Sequence, residues 1–209
     1  MTSRPAVVVL AAGRGSRFRG LHHKLMQTLG ASTVLATTIS NALATSLPVL
    51  VVTTEPLAEI VSHHVATRDM VVLPPVGSTA SQALGMGYSI AAGVAARSDA
   101  SGWLILPADM PMVQPHTLRQ VAEELDGNAI TYAQYRGLRG HPVAFGAELY
   151  SELVMLTGDE GARRLLARYP AMGVEVDDPG VLLDVDTEDD LARVRVAQLE
   201  MQQFRGEAR

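Results

Sequence analysis

Four short runs of apolar, largely β-branched residues punctuate the first half of the chain: 7–10 (VVVL), 48–53 (PVLVVT), 70–73 (MVVL) and 103–106 (WLIL). Such runs have no polar face, so strands built from them must be covered on both sides, as in a parallel sheet sandwiched between helices. The intervening stretches carry the helical period. Ser32 can cap a helix to about 45 that buries Val34, Leu35, Thr38, Ile39 and Ala42, and 56–66 offers Leu57, Ile60 and Val61. Strand, helix, strand, helix with right-handed crossovers predicts a three-layer α/β/α domain with a mostly parallel sheet.

Further along, the pattern predicts a helix from Thr79 or Ser81 to 95, interrupted by Gly85, Gly87 and Gly93, and helices over 115–125, 148–156 and 160–169. Strands are expected at 129–135, 143–145, 174–176 and 181–183, a loop at 137–142, and a last helix capped by Thr187 whose tail frays from about 203. The 209 residues suit one domain, 1–209. With aromatics at 4% and no cysteine, the core rests on Val, Leu, Ile, Ala and Met, and disulfides, thiol nucleophiles and cysteine-bound zinc are excluded. The N-terminus shows no leader pattern, and no window reaches the roughly 18 apolar residues of a membrane span. A cytoplasmic protein without a membrane partner is expected.

Charge is segregated. No Asp or Glu precedes Glu55, whereas Arg4, Arg14, Arg17, Arg19 and Lys24 all fall in the opening segment of a chain of net charge −5. The first strand runs into Ala11-Ala12-Gly13-Arg14-Gly15-Ser16-Arg17. There Gly13 and Gly15 allow successive backbone N–H groups to converge on phosphate oxygens, and Arg17 and Lys24 add charge. A focused cationic loop on an acidic protein fits a small polyphosphate and argues against nucleic acid. Lys24 is the only lysine; the other sixteen cations are arginine, and a compact ammonium does what a planar guanidinium does not. The loop is neither a dinucleotide fingerprint nor a Walker loop: its glycines at 13, 15 and 20 are wrongly spaced, no acid follows about twenty residues on, and Leu21 follows Gly20.

Asp109 follows the 103–106 strand, between Pro107 and Pro111, where ligands of open α/β sheets gather, and suits Mg2+. A second carboxylate can come from Asp184-Val185-Asp186, whose alternation puts both acids on one side; for Asp186 a helix N-cap role competes. His141, flanked by Arg136 and Arg139, either meets an anionic acceptor or is an exposed polar residue of the loop. Asp159 fits the acid-rich start of a helix, and Arg163 and Arg164 either reach a phosphate or pack on the helix surface. The pairs His22-His23 and His63-His64 have no neighbouring carboxylate and read as bland.

Taken in order, Leu10-Ala11-Ala12-Gly13 with Ser16-Arg17-Phe18 and Lys24, then Leu106-Pro107-Ala108-Asp109-Met110-Pro111, Gly140-His141-Pro142, 156–163 (LTGDEGAR) and Asp184-Val185-Asp186-Thr187 resemble the MobA-like nucleotidyltransferases, and among them the molybdenum cofactor cytidylyltransferases. The resemblance covers nearly the whole chain. It implies a doubly wound, Rossmann-like nucleotide-diphospho-sugar transferase fold and transfer of CMP from CTP to the terminal phosphate of molybdopterin. In that scheme Leu10 to Gly13 and Gly15 hold the nucleoside, Arg17 and Lys24 the triphosphate, Asp109 and Asp186 Mg2+, and Gly140 and His141 the pterin. Arg17, Lys24 and Asp109 would carry the catalysis, and a molybdenum hydroxylase or its insertion chaperone would receive the product. Related guanylyltransferases have LAGG where this chain has an extra methyl at Ala12, which favours a pyrimidine. Two positions depart from the family pattern: His23 stands where an acid usually precedes the lysine, and Gly87 where a serine is usual. A non-catalytic cofactor carrier and a nicotinamide-dependent oxidoreductase are the competing readings.

Overall fold

The computed structural model describes residues 3–13, 15, 18, 23–74 and 85–207. Seven strands form one sheet in the order β5 (Met70–Leu73), β4 (Val49–Thr54), β1 (Ala6–Ala11), β6 (Gly102–Pro107), β8 (Leu138–Gly146), β7 (Ile130–Tyr135), β9 (Ala171–Glu175). The pairs β5/β4, β4/β1, β1/β6 and β7/β9 are parallel; only β8 runs against its neighbours β6 and β7. A two-stranded hairpin, β2 (Thr28–Leu29) and β3 (Ser32–Thr33), stands apart and turns at Gly30 with φ +61°.

Helices cover both faces. On one lie α1 (Val34–Leu43), α2 (Glu55–Ser62), α4 (Pro115–Glu123) and α7 (Glu188–Glu207); on the other α3 (Met86–Ala96), α5 (Tyr150–Leu153) and α6 (Arg163–Arg168). β1 shows why its run had to be apolar throughout. Val7, Val9 and Ala11 enter the α1 side of the core while Val8 enters the α3 side, all fully buried. Gly93 is needed because α3 lies directly on the sheet: a Cβ there would stand 2.4 Å from Val8 Cγ1. Packing therefore accounts for the helix glycines. Gly87 likewise meets the backbone of Thr157, and its N–H donates to the Gly158 carbonyl at 2.9 Å.

Three expectations need correction. The loop expected at 137–142 is the first half of β8, a nine-residue strand, so Gly140 and His141 lie on a strand. Its glycines and proline misled, yet the β7/β8 ladder shifts register between Tyr132 and Gln134, an irregularity of the kind that accommodates proline in a strand. The strand expected at 181–183 is instead a 3-10 turn, Pro179–Leu182, started by Asp178, whose carboxylate accepts the Gly180 N–H. Thr33, not Ser32, caps α1 by accepting the Ala36 N–H at 3.2 Å. The helix expected from Thr79 or Ser81 is described only from Met86, and those two start positions lie outside the described residues.

α7 begins as expected. Thr187 Oγ1 accepts the Asp190 N–H at 3.2 Å while the Asp190 carboxylate takes the Thr187 N–H at 2.8 Å, a reciprocal capping box. Thr187 thus does the capping for which Asp186 had competed. The helical backbone continues to Glu207.

Candidate active site

At the carboxyl ends of β1 and β6 the chain leaves the sheet in two adjacent loops, and a cavity of about 710 Å³ opens between them, β8 and the segment before α7. The main chain fixes this region before any side chain contributes. Ala108 N–H donates to the Leu10 carbonyl at 3.0 Å, and Val185 N–H to the Asp109 carbonyl at 2.9 Å. Helix α1 braces the same loop: Thr38 Oγ1 donates to the Ala108 carbonyl at 2.9 Å, and Asn41 Nδ2 to the carbonyls of Pro111 and Val113. Two segments far apart in sequence are thereby stitched side by side.

Lys24 sits between them. It belongs to a short 3-10 turn (Lys24–Met26) and is only 8% exposed, with Nζ 2.5 Å from Asp109 Oδ2 and 2.7 Å from Asp186 Oδ1. Burial by itself lowers the pKa of this ammonium, but the charges and hydrogen bonds of Asp109 and Asp186 outweigh it and hold the group above the usual lysine value. The lone lysine of the chain is therefore a buried cation between two carboxylates.

The 184–186 segment alternates as its sequence predicts: Val185 is fully buried in the core, while Asp184 and Asp186 line the cavity. Asp184 has its pKa raised, first by burial and then by the charges of Asp186 and Asp109. On the β8 wall, Arg139 lays its guanidinium over the Tyr132 ring at 4.2 Å and lines the cavity; Arg136 stacks on Tyr135 and does not. His141 is next to it. Burial pushes its pKa down, against the opposing influence of the Asp109 charge and a backbone hydrogen bond at Ile105. Among the described residues, His141 Nδ1 and Asp109 Oδ1 are buried polar atoms without a hydrogen-bond partner, and both residues face this cavity.

Of the nucleotide-loop residues named from sequence, Leu10, Ala12, Gly13 and Gly15 line the cavity, whereas the Ala11 methyl is fully buried in the core. Gly140 also lines it, at a point where a Cβ would meet the Val181 carbonyl oxygen at 2.3 Å; only glycine lets β8 and the 3-10 turn approach so closely. Arg17 lies outside the described residues. Asp159 belongs to the cavity wall, while Arg164 pairs with Glu160 on the surface at 2.7 Å and neither it nor Arg163 lines the cavity.

Sequence reasoning left two features unnoticed. Asp178, 3% exposed, accepts from Gln114 N–H, Thr117 Oγ1 and Gly180 N–H and so seats the turn that packs on Gly140. The Asp-Pro-Gly start of that turn was the available signal. His23 bonds to both the opening loop and the Lys24 turn, through Gly13 O and Leu25 N–H. No spacing rule flags such a contact.

Among the described residues no group of three or more acidic or histidine side chains is gathered closely enough to hold a metal ion. The two carboxylate oxygens that meet at the Lys24 ammonium are nevertheless of the type that suits a hard divalent cation, and among the described residues Asp109 Oδ1 has no hydrogen-bond partner. Asp109 and Asp186 are the residues that would hold it.

The fold recurs elsewhere. The GlmU bifunctional protein of Zymomonas mobilis is 31% identical over 121 residues, 57% of this chain, and the chain spans about a quarter (26%) of that relative's length. Rv0371c of Mycobacterium tuberculosis is 28% identical with a TM-score of 0.77 over 92% of this chain and 98% of its own. Its manganese complex superposes with a TM-score of 0.74 at 29% identity, over 93% of this chain and 98% of that one. Molybdopterin-guanine dinucleotide biosynthesis protein A of Archaeoglobus fulgidus shares the fold at 17% identity, with a TM-score of 0.69 over 93% of this chain and 99% of its own. Residues 7–172, from the start of β1 into β9, match the MobA-like NTP transferase domain, and the chain belongs to that family.

Proposed function

We propose that this nucleotidyltransferase moves CMP from CTP to the terminal phosphate of molybdopterin, releasing pyrophosphate and forming molybdopterin cytosine dinucleotide. The observation that carries the reading is the cavity itself. A nucleotide-loop wall (Leu10, Ala12, Gly13, Gly15) and a β8 wall (Arg139, Gly140, His141) face one another across Lys24 held between Asp109 and Asp186. The Ala12 methyl on the first wall narrows the space for a base and favours the smaller ring.

In the reaction an oxygen of the acceptor phosphate forms a bond to the α-phosphorus of CTP. The bond from that phosphorus to the α–β bridging oxygen breaks, and the electron pair leaves with pyrophosphate. No covalent enzyme intermediate is needed, so the protein's work is alignment and charge neutralisation. Backbone N–H groups around Gly13 and Gly15 and the ammonium of Lys24 receive the triphosphate. Arg139 and His141 receive the acceptor, and burial keeps the His141 imidazole neutral, able to hydrogen-bond without adding charge. Mg2+ held by Asp109 and Asp186 would supply electrostatic stabilisation of charge developing on the phosphates. Product release to a molybdenum hydroxylase or its insertion chaperone is the corresponding fate.

A thermal-shift panel with CTP, GTP, ATP, UTP and NADPH, each with and without Mg2+, tests the reading. At 100 times its dissociation constant the right nucleotide stabilises the folded protein by about 2.7 kcal/mol. CTP with Mg2+ is expected to stand alone. A shift with GTP instead would make the protein a guanylyltransferase of the same chemistry, and a shift with NADPH alone would overturn the proposal.

A further inference from the structure

His23, one of the two departures from the family pattern, makes two hydrogen bonds that together span the opening loop. The Leu25 N–H donates to Nδ1 at 3.2 Å, which fixes the proton on the other nitrogen, and Nε2 then donates to the Gly13 carbonyl at 3.1 Å. The first bond caps the turn that carries Lys24; the second ties that turn to the end of the nucleotide loop. Gly15, with φ +59°, completes the contact. A methyl added at its Cα would stand 3.3 Å from Lys24 Cγ and 3.5 Å from His23 Nε2, so loop and turn already touch.

We propose that His23 is a positioning residue for the nucleotide. It ties the Gly13 carbonyl to the turn that carries Lys24, so that Gly13, Gly15 and the Lys24 ammonium meet a triphosphate as one preorganised surface. A carboxylate at this position can accept from Leu25 N–H but has no proton to donate to a carbonyl, so it can cap the turn and cannot make the tie. The inference rests on the nucleotidyltransferase reading and adds to it a means of fixing the spacing between Gly13 and the Lys24 turn before the ligand arrives, with the ordering cost met in folding.

Two reciprocal variants separate cap from tie. In His23→Asn the amide oxygen occupies the place of Nδ1 and keeps the cap, but the side chain is too short to reach Gly13. In His23→Gln the amide nitrogen is at the distance of Nε2 and keeps the tie. The full chain is titrated calorimetrically with CTP and Mg2+, and turnover is followed by pyrophosphate release. His23→Asn is expected to weaken nucleotide binding and raise the nucleotide KM by about three- to tenfold, the worth of one hydrogen bond, with kcat, the acceptor KM and the melting temperature little changed. His23→Gln is expected to bind nearly as the wild type does. Wild-type affinity in His23→Asn, or an equal loss in both variants, overturns the proposal. If the wild-type protein binds another nucleoside triphosphate in place of CTP, the base assignment fails and the variants are judged by the same criterion with that nucleotide. A protein that binds none overturns both readings.

Discussion

Two aspartate sites on the same molecule solve opposite problems. Asp178 is 3% exposed and its carboxylate is fully engaged, taking Gln114 N–H at 2.8 Å, Thr117 Oγ1 at 2.7 Å and Gly180 N–H at 3.0 Å. Asp109 is also shielded, yet among the described residues one of its oxygens has no partner and the other leans on a lysine shared with Asp186. A buried carboxylate with both oxygens met by neutral donors is a fastener, and its proper measure is stability. One left with an unmet oxygen in a cavity, beside other acids, is held in readiness for something that arrives, and its proper measure is rate.

The contrast breaks if either residue behaves like the other. Asp109→Asn is expected to lower the rate of pyrophosphate release by about 10²–10³-fold, the cost of losing one charged electrostatic contact at a reacting centre, without lowering the melting temperature. A non-catalytic carrier would lose nothing. Asp178→Ala strands three donors, one of them the buried Thr117 hydroxyl, and is expected to cost about 2–4 kcal/mol in denaturant unfolding, while protein that remains folded turns over at near the wild-type rate.

A smaller effect sharpens the division between wall and fastener. Gly87→Ser restores the residue usual in the family, but here a Cβ would stand 2.7 Å from the Thr157 carbonyl oxygen and 2.9 Å from its nitrogen. A loss of about 1–3 kcal/mol is expected on chemical denaturation, as for other overpacked positions. A neutral outcome would show that the 157–159 segment yields.

The smallest effects are in pH. Asp184 carries a raised pKa, so its folded form binds a proton more tightly than its unfolded form. It therefore opposes folding at neutral pH and is relieved as pH falls through the raised value towards the ordinary 3.8. Asp184→Asn should raise the melting temperature slightly at pH 7 in metal-free buffer and flatten that acid-side dependence. Lys24 has the opposite sense. Its pairing stabilises the fold below the ordinary lysine value of 10.5 and is lost as pH climbs through the raised one, so a Lys24→Met protein should melt with less alkaline sensitivity than the wild type.

How much of this could be read from the chain depends on how local the determinant is. β1, β4 and β6 were legible because their runs are almost wholly apolar and strands covered on both faces need that; β5 was found by the same apolar signal although it lies at the sheet edge with Val72 exposed. The alternation of Asp184, Val185 and Asp186 survived unchanged because a period of two decides which side chains share a face. β8 was not legible: 138–142 reads LRGHP, a turn-like composition that holds a strand because β7 runs alongside it, Tyr135 opposite Leu138 and Gln134 opposite Arg139, whereas β6 pairs only with 143–146. The 3-10 turn at Pro179–Leu182 was misread for the reverse reason, since three apolar residues resemble a strand until Asp178 is seen to cap their start. The sequence set Asp109 beside Asp186 and gave Lys24 to the triphosphate; that the lysine lies between the two carboxylates follows from topology and was not read. The tie at His23 depends on a histidine meeting a carbonyl ten residues earlier, a distance at which propensities say nothing.

The hydrogen bond from Val185 N–H to the Asp109 carbonyl has a consequence for how such a chain changes over time. It belongs to the main chain, and every residue at 185 except proline can make it. The separation of the two acid-bearing segments is thus indifferent to what the cavity walls are made of. On the proposed reading, substitutions at the cavity-lining Ala12, Arg139 or His141 would redirect which base or acceptor is admitted while the spacing of Asp109 and the 184–186 segment is inherited intact. A scaffold wired in this way is free to exchange one substrate for another without having to reinvent its chemistry.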